Sequence, residues 1–372
     1  MSAVRIRPSP PTQMDFALDD EQALLVATLR RWSERELRGW AADADRAAAP
    51  PAGLWKAAGE LGLLVDAVPE AAGGMLDGAY SHLGRALRGY ELGRGCAALA
   101  ALIESNVEPA LAVARWGSQA AQGALFAALA GGRIAVFVHD FYERLSVAPA
   151  DARGGLTVSG TLGPLPGLAI ASHALVAAGG ALFLVALPAG RAAAAAPSGW
   201  RAAAWGSLEL ERFAVEPELV LSGAAFDEVL AWFRVSLAAR ALGVAAAAIE
   251  HAAAYAEDRI QFGQPIGRFQ SLARMRDANQ TAIAAARAYV LMAAWEIDRG
   301  AASAGDTASR ARDLAAEVVT RATIEAVQIF GGYGFVNDFP VEKLMRDARA
   351  FEVLGGNEAL ARVLAQTARG AA

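Results

Sequence analysis

The chain has 372 residues, of which 55% are hydrophobic and 20% are charged, and its formal net charge is -5. This length suits two or three folded domains, and the composition excludes an intrinsically disordered chain. The acidic balance disfavours nucleic acid as a partner, because phosphate binding needs a basic surface. A single cysteine excludes an intrachain disulfide and a zinc site built from several cysteines.

Two stretches bear on localisation. Met1–Asp15 has no apolar core, so we expect no signal peptide and, by default, a cytoplasmic protein. Gly154–Gly190 carries no Asp, Glu, Lys or Arg, but glycines and prolines break it into pieces too short to cross a membrane as one helix. We therefore expect no membrane span.

The first third, residues 14–132, is predicted to be a helical domain. Asp19 and Gln22 are spaced as a capping box, and apolar residues follow at helical spacing. Further helices are predicted at Gly53–Leu61, Tyr80–Gly93, Ala97–Val113 and Ser118–Ala130.

Residues 133–222 are predicted to form a small β domain. Short apolar runs bounded by Gly or Pro indicate buried strands, at Ile134–Val138, Leu156–Ser159, Ala174–Ala178 and Ala181–Leu187. The alanine-rich stretch Arg191–Trp205 is interpreted as a surface loop.

Residues 223–372 return to a helical pattern. Ser236–Ile249 is apolar all round, with Arg240 as its only charge, which is typical of a helix inside a bundle. Three more helices are predicted, at Phe269–Arg299, Ala308–Phe330 and Asn357–Arg369. Helices, then strands, then helices indicate a mostly α, α+β fold in segregated layers.

Two motifs carry a family resemblance. The first is Arg259-Ile260-Gln261-Phe262-Gly263-Gln264-Pro265-Ile266 with Phe269-Gln270, and the second is Gln328-Ile329-Phe330-Gly331-Gly332-Tyr333-Gly334-Phe335 followed by Pro340–Arg349. In order and spacing they resemble the R-x-x-F-G-x-P-I…F-Q and Q-x-x-G-G-x-G…P-x-E-x-x-x-R-D-A segments of acyl-CoA dehydrogenases. Leu61–Leu64 and Pro69–Gly74 resemble the family's N-terminal part. The resemblance covers essentially Met14–Arg369 and is weakest in the β domain.

This resemblance implies a helical N-terminal domain, a β-barrel-like middle domain and a C-terminal four-helix bundle. FAD is expected between the last two domains, reaching into a neighbouring subunit. The implied cofactor-binding residues are Arg259, Gln261, Phe262, Gln270, Gln328, Gly331, Gly332 and Asn357. An arginine beside a glycine suits a phosphate, because a guanidinium contacts two oxygens and a glycine allows close approach. An ordinary helix-end arginine and a plain helix C-cap at Gly331 are the alternatives.

The catalytic base of the family is missing from both of its usual positions. Removal of the weakly acidic α-proton of a thioester needs a carboxylate in a water-poor site. By resemblance the two base positions fall on Gly355 and Phe233, neither of which accepts a proton. The nearby carboxylates Glu352, Glu358, Asp227 and Glu228 are expected at the surface.

Arg234 matches an arginine near the acyl-CoA pocket of family members. It is either a substrate-side charge or a member of a structural ion pair, because an arginine among apolar neighbours needs a partner. Glu342 and Arg346, four residues apart, are predicted to form an ion pair on a helix.

The β domain departs from the family at the flavin. The family's T-E-P…G-S-D loop is replaced by Val138–Glu143, and its W-I-T segment falls on Pro164-Leu165-Pro166. His139 stands where a flavin-contacting threonine is expected and is an active-site candidate, although it should point away from Asp140 on a strand. His82, His173 and His251 show no metal-ligand spacing.

The leading functional hypothesis is an FAD-dependent subunit that desaturates an acyl-CoA at its α,β bond, within a heterotetramer whose homologous partner supplies the base. A homo-oligomer with an unrecognised base, acting on acyl-CoA or a carrier-protein thioester, is the second. A flavin-dependent monooxygenase and a non-catalytic structural subunit are the others, because fold does not fix function. An electron-transfer flavoprotein is a candidate partner.

Overall fold

The structure is a computed structural model that describes residues 17–141, 143–150, 152–224 and 226–356. Helices occupy both ends of the described chain and strands occupy the middle, so the predicted α+β fold class is confirmed. Helix gives way to strand between Ala130 and Ala135, and helix resumes at Phe226. The domain boundaries at 132/133 and 222/223 stay a prediction.

The N-terminal part is helical, as predicted. Its helices are α1 (Asp20–Trp32), α2 (Arg38–Ala47), α3 (Leu54–Glu60), α4 (His82–Gly95), α5 (Ala97–Ile103), α6 (Val107–Trp116) and α7 (Gln119–Ala130), with a π-helical segment, Ser33–Leu37, between α1 and α2. The capping box of Asp19 and Gln22 is present. The prediction of one helix over Ala97–Val113 is wrong. Asn106 interrupts it, because its side chain donates to the Leu64 carbonyl and accepts from the Ala135 amide.

The middle part holds two sheets. Its strands are β1 (Ala135–His139), β2 (Leu145–Pro149), β3 (Leu156–Leu165), β4 (His173–Ala178), β5 (Ala181–Ala186), β6 (Ala193–Ala194) and β7 (Gly206–Val215). One sheet has the order β1-β4-β5, with β1 and β4 parallel, and the other is antiparallel in the order β2-β3-β7-β6. Sequence analysis missed β2 and β7 because polar and small residues on their exposed faces interrupt the apolar runs by which the other strands were recognised.

The surface-loop interpretation of Arg191–Trp205 is wrong in its second half. Trp200 is fully buried, and its ring meets that of Phe351 edge to face at 4.9 Å. The Trp200 amide donates to the Asp347 carboxylate at 2.7 Å. This segment therefore attaches the β domain to the C-terminal helices.

The C-terminal part is built on a long buried helix. Its elements are α8 (Phe226–Asp258), β8 (Ile260–Gln261), β9 (Gln264–Pro265), α9 (Gln270–Asp298), α10 (Ala304–Phe330) and α11 (Val341–Val353). Residues of α8 from Val229 to Ile249 are almost all buried, as the apolar pattern predicts. The predicted helix Asn357–Arg369 lies outside the described residues.

The predicted ion pair on α11 is confirmed. Arg346 donates to Glu342 at 2.5 Å and reaches Asp45 of α2 at 2.8 Å. The pair therefore joins α11 to the N-terminal helices.

Two stretches of the described chain are long and apolar enough to cross a membrane, Ala97–Trp116 and Phe226–Asp258. Their most apolar windows are 89% and 94% buried inside the protein. Burial of this kind is typical of core helices.

Candidate active site

The first motif forms an exposed hairpin directly after α8. The residues of its two-residue turn, Phe262 and Gly263, have φ values of +52° and +79°, as a type I′ turn requires. The turn leaves Phe262 92% exposed. The hairpin therefore presents a large aromatic ring at the surface of the chain.

The second motif lies beside the hairpin. The Arg259 guanidinium is 5.8 Å from the centre of the Tyr333 ring, in the short 3-10 helix Gly331–Phe335 that follows α10. Gly331 caps α10 with a φ of +59°, as predicted. Nothing lies within 4 Å of a Cβ placed on Gly331 or Gly332, so a ligand can approach this backbone closely.

The structure brings together the sequence-predicted cofactor residues that it describes. All of them are exposed: Arg259, Gln261, Phe262, Gln270, Gln328, Gly331 and Gly332. The ring of Phe262 meets that of Phe269, next to Gln270, edge to face at 6.2 Å. Asn357 lies outside the described residues. We call the surface formed by the seven exposed residues the hairpin surface. Its role towards FAD stays a prediction.

A second, half-buried cluster contains both positions that the resemblance assigns to the base. A Cβ placed on Gly355 would lie 3.7 Å from Phe233 Cε1 and 3.1 Å from Leu237 Cδ2. The Phe233 ring in turn packs edge to face on Phe137 of β1, at 5.5 Å. Two positions 122 residues apart in the chain therefore meet at one point, and neither carries a carboxylate.

Two arginines hold the segment that carries Gly355. Arg234 Nε donates to the Gly355 carbonyl at 3.1 Å. Arg312 of α10 donates to the carbonyls of Phe351, Glu352 and Leu354 at 2.8 to 3.1 Å. Arg234 thus positions this segment, while its role towards a substrate stays a prediction. Sequence analysis missed Arg312.

Three of the four carboxylates that lie near the base positions in the sequence are described by the structure. Glu352 accepts from Thr320 and Arg349, and its side chain is 37% exposed. Glu228 pairs with Arg115, and Asp227 is exposed. Glu358 lies outside the described residues. The expected surface position thus holds for Asp227, while Glu228 and Glu352 are half-buried and paired with arginines.

A buried charge network lies next to this cluster, and sequence analysis missed it. Glu104 accepts from Arg88 Nε and from Ser236 Oγ, both at 2.8 Å. Glu108 accepts two hydrogen bonds from Arg85, at 2.7 and 3.1 Å. The sequence did carry a signal for this network, because single charges of both signs occur along the otherwise apolar helices. Charged side chains are rarely buried unless they are paired, so these charges could have been predicted to pair with one another.

Glu104 stays ionised. Burial raises its pKa, but Arg88, Arg85 and Arg240 outweigh burial and lower the pKa of Glu104 to about 2. A carboxylate with this pKa is a weak base, because a general base works best with a pKa near the operating pH. Glu104 is therefore a structural charge despite its closeness to the base positions.

A small cavity lies between the β domain and α8. It measures about 40 Å³, and its lining includes Glu104, Phe137, Pro166, Phe233, Leu237 and Arg240. We call it the interdomain cavity. Two of the lining residues, Phe233 and Leu237, are also the side chains nearest to a Cβ placed on Gly355. Pro166 comes from the segment that replaces the family's flavin-side motif.

His139 lies at the end of β1, between the rings of Phe226 and Phe141 at 5.1 and 5.7 Å. Burial first, then the Arg234 charge, lowers the pKa of His139 to about 4. Asp140 instead accepts from the backbone amides of Arg144 and Leu145 and so shapes the following turn. His139 is therefore neutral at physiological pH, and its role as an active-site residue stays a prediction.

Two family models match this chain. "Acyl-CoA dehydrogenase, N-terminal domain" matches residues 19–133, and "Acyl-CoA dehydrogenase, C-terminal domain" matches residues 222–368. The chain belongs to the acyl-CoA dehydrogenase family.

Similar proteins agree with this placement. An acyl-CoA dehydrogenase of Bacillus subtilis (strain 168) is 41% identical over 131 residues, which are 35% of this chain and 34% of that protein. The matched segment thus spans about a third of this curated relative's length.

Solved structures share the fold over nearly the whole chain. The butyryl-CoA dehydrogenase from Megasphaera elsdenii superposes with a TM-score of 0.82 at 24% identity, covering 95% of this chain and 99% of that one. The structure titled "PigA with FAD and proline" has a TM-score of 0.82 at 20% identity, again over 95% and 99%.

In this acyl-CoA dehydrogenase family member, the backbone differs between the two positions that the resemblance assigns to the base. Gly355 has a φ of +79°, which a glutamate adopts only with strain. Phe233 is half-buried on regular helix. The described backbone is therefore compatible with a carboxylate at residue 233 and disfavours one at residue 355.

Proposed function

We propose that this chain is a subunit of an FAD-dependent enzyme that desaturates the α,β bond of an acyl thioester, and that a homologous partner subunit supplies the catalytic base. The observation that carries the proposal is the meeting of Gly355 and Phe233, which leaves the place where a base is needed without a carboxylate. FAD, when bound, accepts the β-hydrogen of the substrate as a hydride.

The hairpin surface is suited to the phosphates of FAD. Arg259 offers a guanidinium that can donate to two phosphate oxygens. Gly331 and Gly332 leave their backbone open to a ligand. Because these residues are exposed on the single chain, we propose that they contact FAD held mainly by an adjacent subunit. The proposed assembly is a cytoplasmic heterotetramer. An electron-transferring flavoprotein is the proposed electron acceptor.

The experiment that tests this function is anaerobic mixing with acyl-CoAs. The chain is expected to reduce its flavin only when assembled with a homologue that carries the catalytic glutamate. Reduction by the chain alone would favour a homo-oligomer with its own base. An assembly that consumes oxygen and hydroxylates its substrate would instead favour the monooxygenase.

Arg259→Gln is expected to weaken FAD binding at least about tenfold, because a hydrogen bond between charged groups contributes about 1.5–3 kcal/mol. Flavin content after desalting, with a subsequent FAD titration, measures the loss. Arg31→Gln is the matched control, since Arg31 is an exposed arginine on α1. Unchanged FAD affinity in Arg259→Gln would contradict the assignment of the hairpin surface.

A further inference from the structure

A cavity of about 360 Å³ lies between α2, α8 and α11. This volume is in the range of small-molecule sites, which measure about 300–1,000 Å³. One face of α2 lines the cavity, because the residues concerned are spaced by three, four, seven and eight positions: Arg38, Ala41, Ala42, Asp45 and Arg46. We call it the α2 cavity. Within the described chain it shares no lining residue with the interdomain cavity or the hairpin surface.

Most of the positive charge on the wall of the α2 cavity is already compensated. Of the six described Arg and Lys side chains that line it, four donate to a carboxylate at hydrogen-bond distance. The pairs are Arg46 with Asp43, Arg94 with Glu250, Lys343 with Asp347, and Arg346 with Glu342 and Asp45. These four cations therefore have their own counter-charges.

Arg38, the first residue of α2, is not compensated in this way. Its one hydrogen bond to a described residue goes to the Arg94 carbonyl at 3.4 Å. The Glu250 carboxylate is 3.7 Å away, and both of its oxygens already accept from Arg94. Burial first, then the Arg38 charge, lowers the pKa of the lining residue His251 to about 4, against the opposing effect of Glu250. The potential at this wall is therefore positive.

Arg201 reaches the same cavity from the segment between β6 and β7. Its one ion contact in the described part of the chain is with Asp45, at 3.9 Å, and both oxygens of Asp45 already accept from Arg346. The planar fork of a guanidinium matches the oxygens of a phosphate or a carboxylate. Two arginines with donors to spare, one from α2 and one from the β domain, therefore indicate an anionic ligand in this cavity.

The rest of the lining suits a ligand with a flat body better than a bare ion. From Arg38 to Arg46 the cavity follows eight residues of α2, about 12 Å along its axis. Asp338 accepts no hydrogen bond and forms no ion pair with a described residue, so its carboxylate can accept from sugar hydroxyls, as carboxylates do in ribose sites. The apolar lining comes from Ala41, Ala42, Ala247, Phe339 and Leu344.

We propose that the α2 cavity binds a nucleoside monophosphate, with its phosphate on the guanidiniums of Arg38 and Arg201 and its base and ribose on the apolar wall beside Asp338. This site is additional to the proposed FAD contact and does not depend on it. Because its walls come from α2, α11 and the β domain, a bound nucleotide joins three parts of the chain and stabilises their packing.

Calorimetric titration of the FAD-saturated protein tests the class of ligand with four probes: AMP, adenosine, inorganic phosphate and octanoate. AMP is expected to bind at least about tenfold more tightly than adenosine, the effect of a hydrogen bond between charged groups. It is also expected to bind more tightly than inorganic phosphate, which lacks the flat body. Adenosine that binds as tightly as AMP would overturn the phosphate contact. Octanoate that binds as tightly as AMP would overturn the choice of a nucleotide.

Arg38→Met and Arg201→Met locate the site. Each is expected to weaken AMP binding at least about tenfold, because each removes a charged donor, while Arg31→Met on α1 is expected to change nothing. The side chains of Arg38 and Arg201 are 31% and 41% exposed, so little loss of stability is expected, and melting curves check it. The same curves give a second readout, since AMP should raise the melting temperature of the wild type more than that of either variant.

The outcomes separate this inference from the proposed function. Wild-type protein that binds no AMP, or AMP affinity that is equal in the wild type, Arg38→Met and Arg201→Met, overturns the site and leaves the proposed desaturation standing. AMP binding that is lost in Arg259→Gln but kept in Arg38→Met would place the nucleotide on the hairpin surface and would also overturn the site. Flavin that no acyl-CoA reduces in any assembly would contradict the proposed function alone.

Discussion

Phe233→Glu is expected to let this chain reduce its flavin with an acyl-CoA about 10²- to 10⁴-fold faster than the wild type, the usual contribution of a positioned general base. By resemblance Phe233 occupies one of the two family base positions, and a Cβ placed on Gly355, the other, would lie 3.7 Å from its ring. It also lines the interdomain cavity. A carboxylate there would be poorly hydrated, which raises its pKa towards the operating pH and makes it a better base.

Anaerobic stopped-flow measurement of the visible flavin band gives this rate directly. Phe233→Gln is the matched control, because it has the shape of the glutamate but cannot accept the proton. If the glutamine variant gained as much activity as the glutamate variant, the effect would come from added space or polarity, and the assignment of Phe233 as a vacant base position would be wrong.

Gly355→Glu is expected to be a poorer rescue. Gly355 has a φ of +79°, and a Cβ at this position would be 3.1 Å from Leu237. A non-glycine residue in this region costs about 1–3 kcal/mol. The two base positions are therefore not equivalent in this chain.

Glu104→Gln is expected to lower the free energy of unfolding by about 3–5 kcal/mol, because it removes one partner from a buried charge network. Glu104 is 1% exposed and accepts hydrogen bonds from Arg88 and Ser236, with Arg85 at 3.8 Å. Glutamine keeps the shape but leaves the guanidiniums of Arg88 and Arg85 with less compensation. Urea unfolding at neutral pH measures the change.

The pH dependence of this effect has a defined sign. The neighbouring arginines lower the pKa of Glu104 from its ordinary value of 4.5 to about 2 in the folded protein, against the effect of burial. Its contribution to stability is therefore complete above pH 4.5 and is lost as the pH falls towards 2. The difference between wild type and Glu104→Gln should shrink over this interval.

Glu352→Gln is the control for Glu104→Gln. Glu352 also pairs with an arginine, but its side chain is 37% exposed, and exposed ion pairs contribute about 0–1 kcal/mol. Equal destabilisation by the two substitutions would show that burial of Glu104 has no special cost.

The sequence predicts the layout of this protein well where its pattern is periodic. The helix containing Ser236–Ile249 is recognisable because every face is apolar, and Gly331 marks the end of α10. The break at Asn106 is not recognisable, because it depends on tertiary hydrogen bonds to Leu64 and Ala135. The burial of Trp200 likewise depends on a partner, Phe351, that is distant in sequence.

The sequence predicts which motifs contribute to the candidate site, but it does not predict how their side chains lie relative to one another. Motif matching identifies Arg259 and Gly331 separately, while only the fold places Arg259 near Tyr333. Arg240 stands out in the sequence as the one charge in an apolar helix segment, but only the fold places it 4.0 Å from Glu104. Side chains that act through tertiary neighbours carry little local signal.

The visible absorbance of the purified wild-type chain during anaerobic titration with acyl-CoAs tests the central claim most directly. If the chain lacks a base of its own, its flavin band will persist at every acyl-CoA concentration and will bleach after assembly with a homologue that carries the glutamate. Bleaching of the isolated chain by any acyl-CoA would contradict the claim.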